Sequence, residues 1–146
     1  MSGRPARIRG HDPVDLALIA AALALAVVVE GGLRVLRLPR LSRLLGVPLD
    51  TSAQREVDRA DPVIVPRWAR RRLRCARRAL RHWPFGDSCL RLALVGGCLV
   101  RRLDPVLRIG VAKHDGQVRA HAWLEVGGVS LDVGSADFAP VESIRS

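Results

Sequence analysis

The chain has 146 residues, which is the length of one domain and enough to bury about two-thirds of its unfolded surface without disulfides or metals. Nearly half of the residues are hydrophobic, which excludes a disordered chain, and three cysteines without a CxxC pair argue against a disulfide framework or a zinc knuckle. The net charge of +10 comes almost entirely from arginine and admits an acidic partner, an anionic membrane or nucleic acid.

The first predicted element is an apolar helix near the N-terminus. Asp12 and Pro13 are typical of a helix start, as N-cap and first-turn residue, and the apolar run 16–29 follows them. The fourteen residues of this run are too few to span a bilayer comfortably. We therefore expect a buried helix, with a membrane-seeking segment as the alternative. The glycines at 31 and 32 are expected to end or kink it.

Leucines then recur at helical spacing until Pro39 interrupts the pattern. Residues 47–66 are polar and contain three prolines, so they are expected to link this part to the next helix. We expect residues 1–66 to form an N-terminal helical region and linker, and residues 67–146 a second region within one compact domain overall.

An arginine-rich segment, RWARRRLRCARRALRH, occupies residues 67–82. Its apolar side chains recur at i, i+4, i+7 and i+11 and form one narrow stripe, which consists of Ala69, Leu73, Ala76 and Leu80. The segment is typical of an amphipathic surface helix. A docking face for an acidic peptide, a membrane or RNA is the alternative.

Pro84 and Gly86 end this helix, and Asp87 or Ser88 can cap the next one, CLRLALVGGCLVRRL, which is apolar on most sides. Beyond Pro105 the hydrophobic period changes to two. Three antiparallel strands are predicted, with the sequences VLRIGVA, QVRAHAWLEV and VSLDVG. Helices followed by a meander predict an α+β fold, with the helices packed on a small antiparallel sheet.

Three residues in this second region could form a catalytic site. Cys89 lies at the start of the apolar helix, where unpaired backbone N–H groups and the helix dipole favour a thiolate and can hold an oxyanion. His121 and then Asp132 follow on strand-like sequence. A cysteine, a histidine and an aspartate can serve as nucleophile, base and orienting group.

The second hairpin offers a geometric test of this triad. If Gly127-Gly128 is a two-residue turn, paired residues have numbers that sum to 255, so Asp132 lies opposite Trp123. Asp132 is then the diagonal neighbour of His121 on one sheet face, at about 7 Å between backbones. Asp137 is the alternative acid.

Each of these residues also has a structural interpretation. Cys98 is expected to be a small buried hydrophobe, and Cys75 a surface or stripe residue with a lesser claim to be the nucleophile. His121 alone is more often a hydrogen-bonded strand histidine than a base.

The segments DSCLRLALVGGCLVRRL, VLRIGVAK and RAHAWLEVGGVSLDVG, within residues 83–134, resemble the leader peptidases of lasso peptide biosynthesis, which are members of the transglutaminase-like superfamily. The shared features are a Cys-Leu pair at a helix start, an IGV strand and a His-Ala-Trp-x-Glu strand. The N-terminal helices fit this family only loosely, and the residues after Cys-Leu depart from its usual sequence.

The resemblance implies a papain-like or transglutaminase-like core over residues 67–146. Cys89 would be the nucleophile, His121 the base and Asp132 the orienting acid of a cysteine peptidase that needs no cofactor or metal. It implies three partners: a lasso precursor peptide, a separate leader-recognition protein and an ATP-dependent cyclase. Trp83, six residues before the cysteine, is a candidate second oxyanion donor, with a core tryptophan as the alternative.

The same residues are compatible with two other functions. A transglutaminase or acyltransferase would employ the same triad but pass the acyl group to an amine. A basic RNA- or membrane-binding module would use the three residues only for structure. We expect a cytoplasmic enzyme without a nucleic-acid partner, and we expect any membrane contact to involve the apolar N-terminal helix.

Overall fold

The computed structural model describes residues 12–51, 65–85, 88–131 and 139–140. In these ranges the helices are α1 (Pro13–Val35), α2 (Leu38–Leu44), α3 (Arg67–Arg81) and α4 (Cys89–Leu99), followed by a 3-10 turn at Arg101–Leu103. The strands are β1 (Val106–His114), β2 (Gln117–Val126), β3 (Val129–Ser130) and β4 (Ala139–Pro140). They form one antiparallel sheet in the order β3-β2-β1-β4. The fold is α+β, as predicted.

Helix α1 begins as predicted, because the Asp12 carboxylate accepts a hydrogen bond of 3.1 Å from the backbone N–H of Val14. Two other expectations for this helix are wrong. It continues through both glycines to Val35, where the N–H of Leu36 donates to the Gly32 carbonyl at 2.7 Å. It is also not a buried helix, since only one face packs on the protein; the buried positions are Ala22, Ala26, Val29 and Glu30.

The interruption predicted at Pro39 lies slightly earlier, at residues 36–37, between the end of α1 and the start of α2. Pro39 itself is not the break. It lies in the first turn of α2, where the missing proline N–H would have had no helical partner. The expected linking stretch begins with an extended segment beside β1. There Val47 is fully buried, and Leu49 forms a parallel bridge with Leu107. Residues 52–64 lie outside the described residues.

Helix α3 carries the predicted apolar stripe. Ala69, Ala76 and Leu80 are buried and Leu73 packs against the core, while Cys75 and Ala79 widen the stripe. The helix packs along α1 and against α4. Its exposed side is rich in arginine, as expected for an amphipathic surface helix.

The β2–β3 hairpin has the predicted two-residue turn. Gly127 and Gly128 have φ values of 57° and 82°, which glycine adopts readily because it has no Cβ and which suit the twist of a tight hairpin. Val126 pairs with Val129, and the N–H of Leu131 donates to Leu124 O at 2.8 Å. The predicted register is therefore confirmed as far as Leu131.

The core lies between α4 and one face of the sheet. Leu94, Leu107 and Leu124 meet there, and α4 approaches the sheet closely at Gly97. A Cβ at this glycine would lie 2.7 and 2.8 Å from the Val47 methyl groups. The opposite sheet face carries His121 and the other odd-numbered residues of β2, because side chains alternate along a strand.

Candidate active site

Cys89 is the first residue of α4, and its position there depends on a serine cap. The hydroxyl of Ser88 accepts a hydrogen bond of 3.2 Å from the backbone N–H of Arg91. This bond satisfies one of the N–H groups that every helix leaves unpaired at its first turn. The sequence prediction of Ser88 as a cap is confirmed, while Asp87 lies outside the described residues.

The sulfur of Cys89 contacts the strand that carries His121. The backbone N–H of Ala122 donates a hydrogen bond to Cys89 Sγ with an N to S distance of 3.4 Å. On β2 the even-numbered residues direct their backbone groups toward β3, as the bond from Leu131 to Leu124 shows. Cys89 Sγ therefore lies at the edge of β2 that faces β3, where it accepts the backbone hydrogen bond of Ala122. Ala122 directly follows His121 in the strand.

His121 is half-buried on β2, opposite Gly110 of β1. The glycine leaves the space beside the imidazole free of a cross-strand side chain. The imidazole stacks on the indole of Trp123, with ring centroids 6.0 Å apart and planes inclined by 19°. The indole thus supports one side of the histidine ring.

Trp123 is itself held by a group of buried charges. Its indole N–H donates to Glu125 at 3.0 Å, and Arg108 Nε donates to the other carboxylate oxygen at 2.9 Å. Arg108 also forms an ion pair of 3.4 Å with Asp50. We call these four residues the charge network. Trp123, Glu125 and Arg108 are all buried.

The sequence analysis did not identify the charge network. Glu125 was noted only as part of a motif, and Arg108 was given no role. A usable signal was present: with Asp115 and Gly116 as a two-residue turn, the first hairpin pairs Arg108 with Trp123. A charged residue in an otherwise apolar strand requires a partner there.

A second ion pair ties α1 to the start of α4. Arg91 Nε donates to Glu30 at 2.7 Å, and its Nη1 donates to the Ser88 hydroxyl at 3.2 Å. Arg34 contacts the other oxygen of Glu30 at 3.2 Å. The hydrogen bond from Arg91 lowers the pKa of Glu30 below its ordinary value, and the positive charges of both arginines act in the same direction. The carboxylate thereby braces the turn that carries Cys89.

Aromatic residues precede α4. Trp83 and Phe85 lie with ring centroids 6.1 Å apart, and the Arg34 guanidinium sits 5.2 Å from the Phe85 ring. The indole nitrogen of Trp83 is buried and has no hydrogen-bond partner among the described residues. A buried donor without an acceptor costs free energy, and such an atom calls for an explanation in function or in bound water.

The other two cysteines are poor nucleophiles. Burial raises the pKa of Cys75, and the nearby Asp15 carboxylate, 3.7 Å from its sulfur, raises it further. Burial likewise raises the pKa of Cys98, which lies near the end of α4. A raised thiol pKa reduces the thiolate that attacks at neutral pH, so neither residue rivals Cys89.

Comparison with protein families gives one match, to the model of the transglutaminase-like superfamily, over residues 22–144. This match covers most of the chain. The chain belongs to the transglutaminase-like superfamily. No curated protein and no solved structure matched the sequence.

The transglutaminase-like superfamily includes cysteine peptidases and acyltransferases, which makes a cysteine-dependent enzyme the natural interpretation of this domain. Of the three predicted site residues, Cys89 contacts the backbone of Ala122, the residue that follows His121. Asp132 and its alternative Asp137 lie outside the described residues, so the acid stays a prediction.

An arginine-lined depression of the transglutaminase-like domain lies away from this site. It runs between α3, the start of α1 and residues 129–131. Neither Cys89 nor His121 lines it. Among the described residues, no group of three or more His, Cys, Asp or Glu side chains is placed to hold a metal ion.

Proposed function

We propose that this protein is a cysteine peptidase that removes the leader from a ribosomally synthesised lasso precursor peptide. Cys89 is the nucleophile, His121 the general base and Asp132 the orienting acid. The observation that carries the proposal is the 3.4 Å hydrogen bond from the Ala122 N–H to Cys89 Sγ. It brings a thiol at a helix start to the backbone of the residue next to the histidine. This supports the proposal, since nucleophilic catalysis requires a thiol and a base within hydrogen-bond reach of each other.

The reaction proceeds in two steps. His121 takes the thiol proton, the sulfur attacks the carbonyl carbon of the scissile peptide, and the C–N bond breaks as the histidine returns the proton to the leaving amine. Water then adds to the thioester with the histidine as base, and the C–S bond breaks to release the leader with a free carboxylate. The proton returns to the sulfur, so the enzyme is regenerated.

Two sets of donors are available for the oxyanion. The first comprises the backbone N–H groups in the first turn of α4, which carry the positive end of the helix dipole. The second candidate is the Trp83 indole N–H, which is buried and has no acceptor among the described residues. We propose that Trp83 donates to the oxyanion, and this assignment would account for its unpaired nitrogen.

The substrate assignment rests on the resemblance of residues 83–134 to the lasso leader peptidases. On this proposal the precursor is delivered by a separate recognition protein, and an ATP-dependent cyclase closes the ring of the released core peptide. A cytoplasmic location accords with three free thiols at Cys75, Cys89 and Cys98, which a reducing compartment would preserve.

The deciding experiment incubates the chain with a candidate precursor peptide and the recognition protein encoded beside it, followed by mass spectrometry. We expect a product that has lost the leader with wild type and none with Cys89→Ala. Cys98→Ala is the matched control, because it removes a thiol from the same helix and should retain cleavage. His121→Ala should behave like Cys89→Ala, and Asp132→Asn should lose more activity than Asp137→Asn.

Product masses, together with an RNA-binding assay, separate the peptidase from the rival functions. A mass increase or a cross-link to an amine, without loss of the leader, would replace the peptidase proposal with an acyltransferase. Unchanged function in Cys89→Ala, together with salt-dependent RNA binding, would point to a basic binding module. In every case circular dichroism must show that the variant is folded.

A further inference from the structure

The outer face of α1 is a continuous apolar surface. Every exposed position from Leu16 to Gly31 is Ala, Val, Leu or Gly. Among its large hydrophobic side chains, Leu16 is 51% exposed, Val27 60% and Val28 57%. Val35, at 82%, extends the surface to the end of the helix. A solvent-exposed apolar face of this length indicates an interaction site.

The inner face of α1 shows how the helix can meet its partner. By length and composition alone the helix could cross a membrane. However, Ala22, Ala26 and Val29 are buried against the protein, and Glu30 is ion-paired to Arg91 of α4. A transmembrane orientation would separate these contacts and place the carboxylate in lipid. The helix can therefore contact a membrane and keep these inner-face contacts only by lying flat on the membrane surface.

Positive charge borders the apolar face. Arg34 ends α1 with 63% of its side chain exposed, and exposed arginines follow at Arg37, Arg40 and Arg43 around α2. The two carboxylates at the start of α1, Asp12 and Asp15, are both ion-paired with Arg71. An apolar helix face next to exposed arginines matches the acyl chains and phosphates of an anionic bilayer.

We propose that α1 docks this protein on an anionic membrane surface. The outer face of the helix enters the boundary between headgroups and acyl chains, and the arginines that follow it bind lipid phosphates. This inference is independent of the proposed peptidase activity. It also commits to lipid as the occupant, since the charges beside the face complement phosphate.

The test is flotation of the full-length chain with phosphatidylglycerol-containing vesicles, compared with pure phosphatidylcholine vesicles. We expect the apparent affinity to be at least tenfold higher for the anionic vesicles and to fall with added salt. The double variant Val27→Glu/Val28→Glu should lose binding at least tenfold. Val118→Glu is the matched control, because Val118 is 70% exposed on β2, and this variant should bind like wild type.

A second variant protects the test from misfolding. Arg37→Gln/Arg40→Gln/Arg43→Gln changes only exposed side chains, and it should weaken binding to anionic vesicles several-fold without lowering the melting temperature. The proposal is overturned if wild type does not float, if Val118→Glu loses as much binding as the double variant, or if pure phosphatidylcholine binds equally well. A concentration-dependent dimer that the double variant abolishes would instead identify the face as a contact between two copies of the chain.

Discussion

The indole N–H of Trp123 donates a 3.0 Å hydrogen bond to the carboxylate of Glu125, two residues further along the same strand. Arg108 on the neighbouring strand neutralises that carboxylate. Because His121 stacks on the indole, the orientation of the proposed catalytic ring depends on the buried ion pair that holds Trp123. The charge network thus positions the His121 ring through Trp123, while α4 positions Cys89.

Glu125→Gln should destabilise the fold strongly. The amide still accepts from the indole, but the buried charge beside Arg108 is lost. Breaking a buried pair costs about 3 kcal/mol or more, and the ion pair of Arg108 with Asp50 offsets part of this cost. Trp123→Phe should cost less, about 1–3 kcal/mol for the unpartnered carboxylate oxygen, beyond any change in packing. Urea unfolding measures both values. A loss below about 0.5 kcal/mol for Glu125→Gln, the range of ordinary surface substitutions, would contradict the network.

The three cysteines should react with iodoacetamide at different rates. Cys89 is expected to be alkylated first at pH 7. Cys75 and Cys98 should react more slowly, because burial raises their pKa values and so lowers their thiolate fractions at this pH. Peptide mapping by mass spectrometry measures the rates. As a control, the rates should converge in urea. Equal labelling of the folded protein at all three positions would refute the prediction.

Two glycine-to-alanine substitutions should have opposite effects. At Gly97 the new methyl group would lie within 3 Å of both Val47 methyls, whose short side chain cannot move away, so we expect a loss of about 1–3 kcal/mol. At Gly31 nothing lies within 4 Å, and alanine should stabilise α1 by up to about 1 kcal/mol. Thermal or urea unfolding tests the pair. Equal effects at both positions would show that α4 does not approach the sheet this closely.

The Glu30 ion pair should make the stability of the fold depend on pH in the acidic range. The pKa of Glu30 is lowered in the folded state, so the pair contributes stability above the ordinary glutamate pKa of about 4.3 and loses it as the pH falls through the lower folded value. Glu30→Gln should therefore melt at a lower temperature than wild type at pH 7, and the gap should narrow toward pH 3. A gap that stays constant with pH would contradict the prediction.

Most of the local structure followed from short-range chemistry. Asp12 and Ser88 cap helices because their side chains satisfy nearby N–H groups, and the Gly127-Gly128 turn sets the register of its hairpin. These signals involve residues within a few positions of one another. They predicted α3, α4 and the β1–β2–β3 meander, but not strand β4. The interruption expected at Pro39 falls at residues 36–37, because proline favours the first turn of the helix that follows.

The sequence by itself determined the α+β order of elements, the cysteine at a helix start and the strand that carries His121. Only the tertiary structure decided that Cys89 meets Ala122, that Glu30 braces α4, and that α1 leaves one apolar face uncovered. The physical reason is range. Capping and strand alternation act between neighbours in the chain, whereas these contacts join residues 33 and 61 positions apart, whose meeting depends on how whole elements pack.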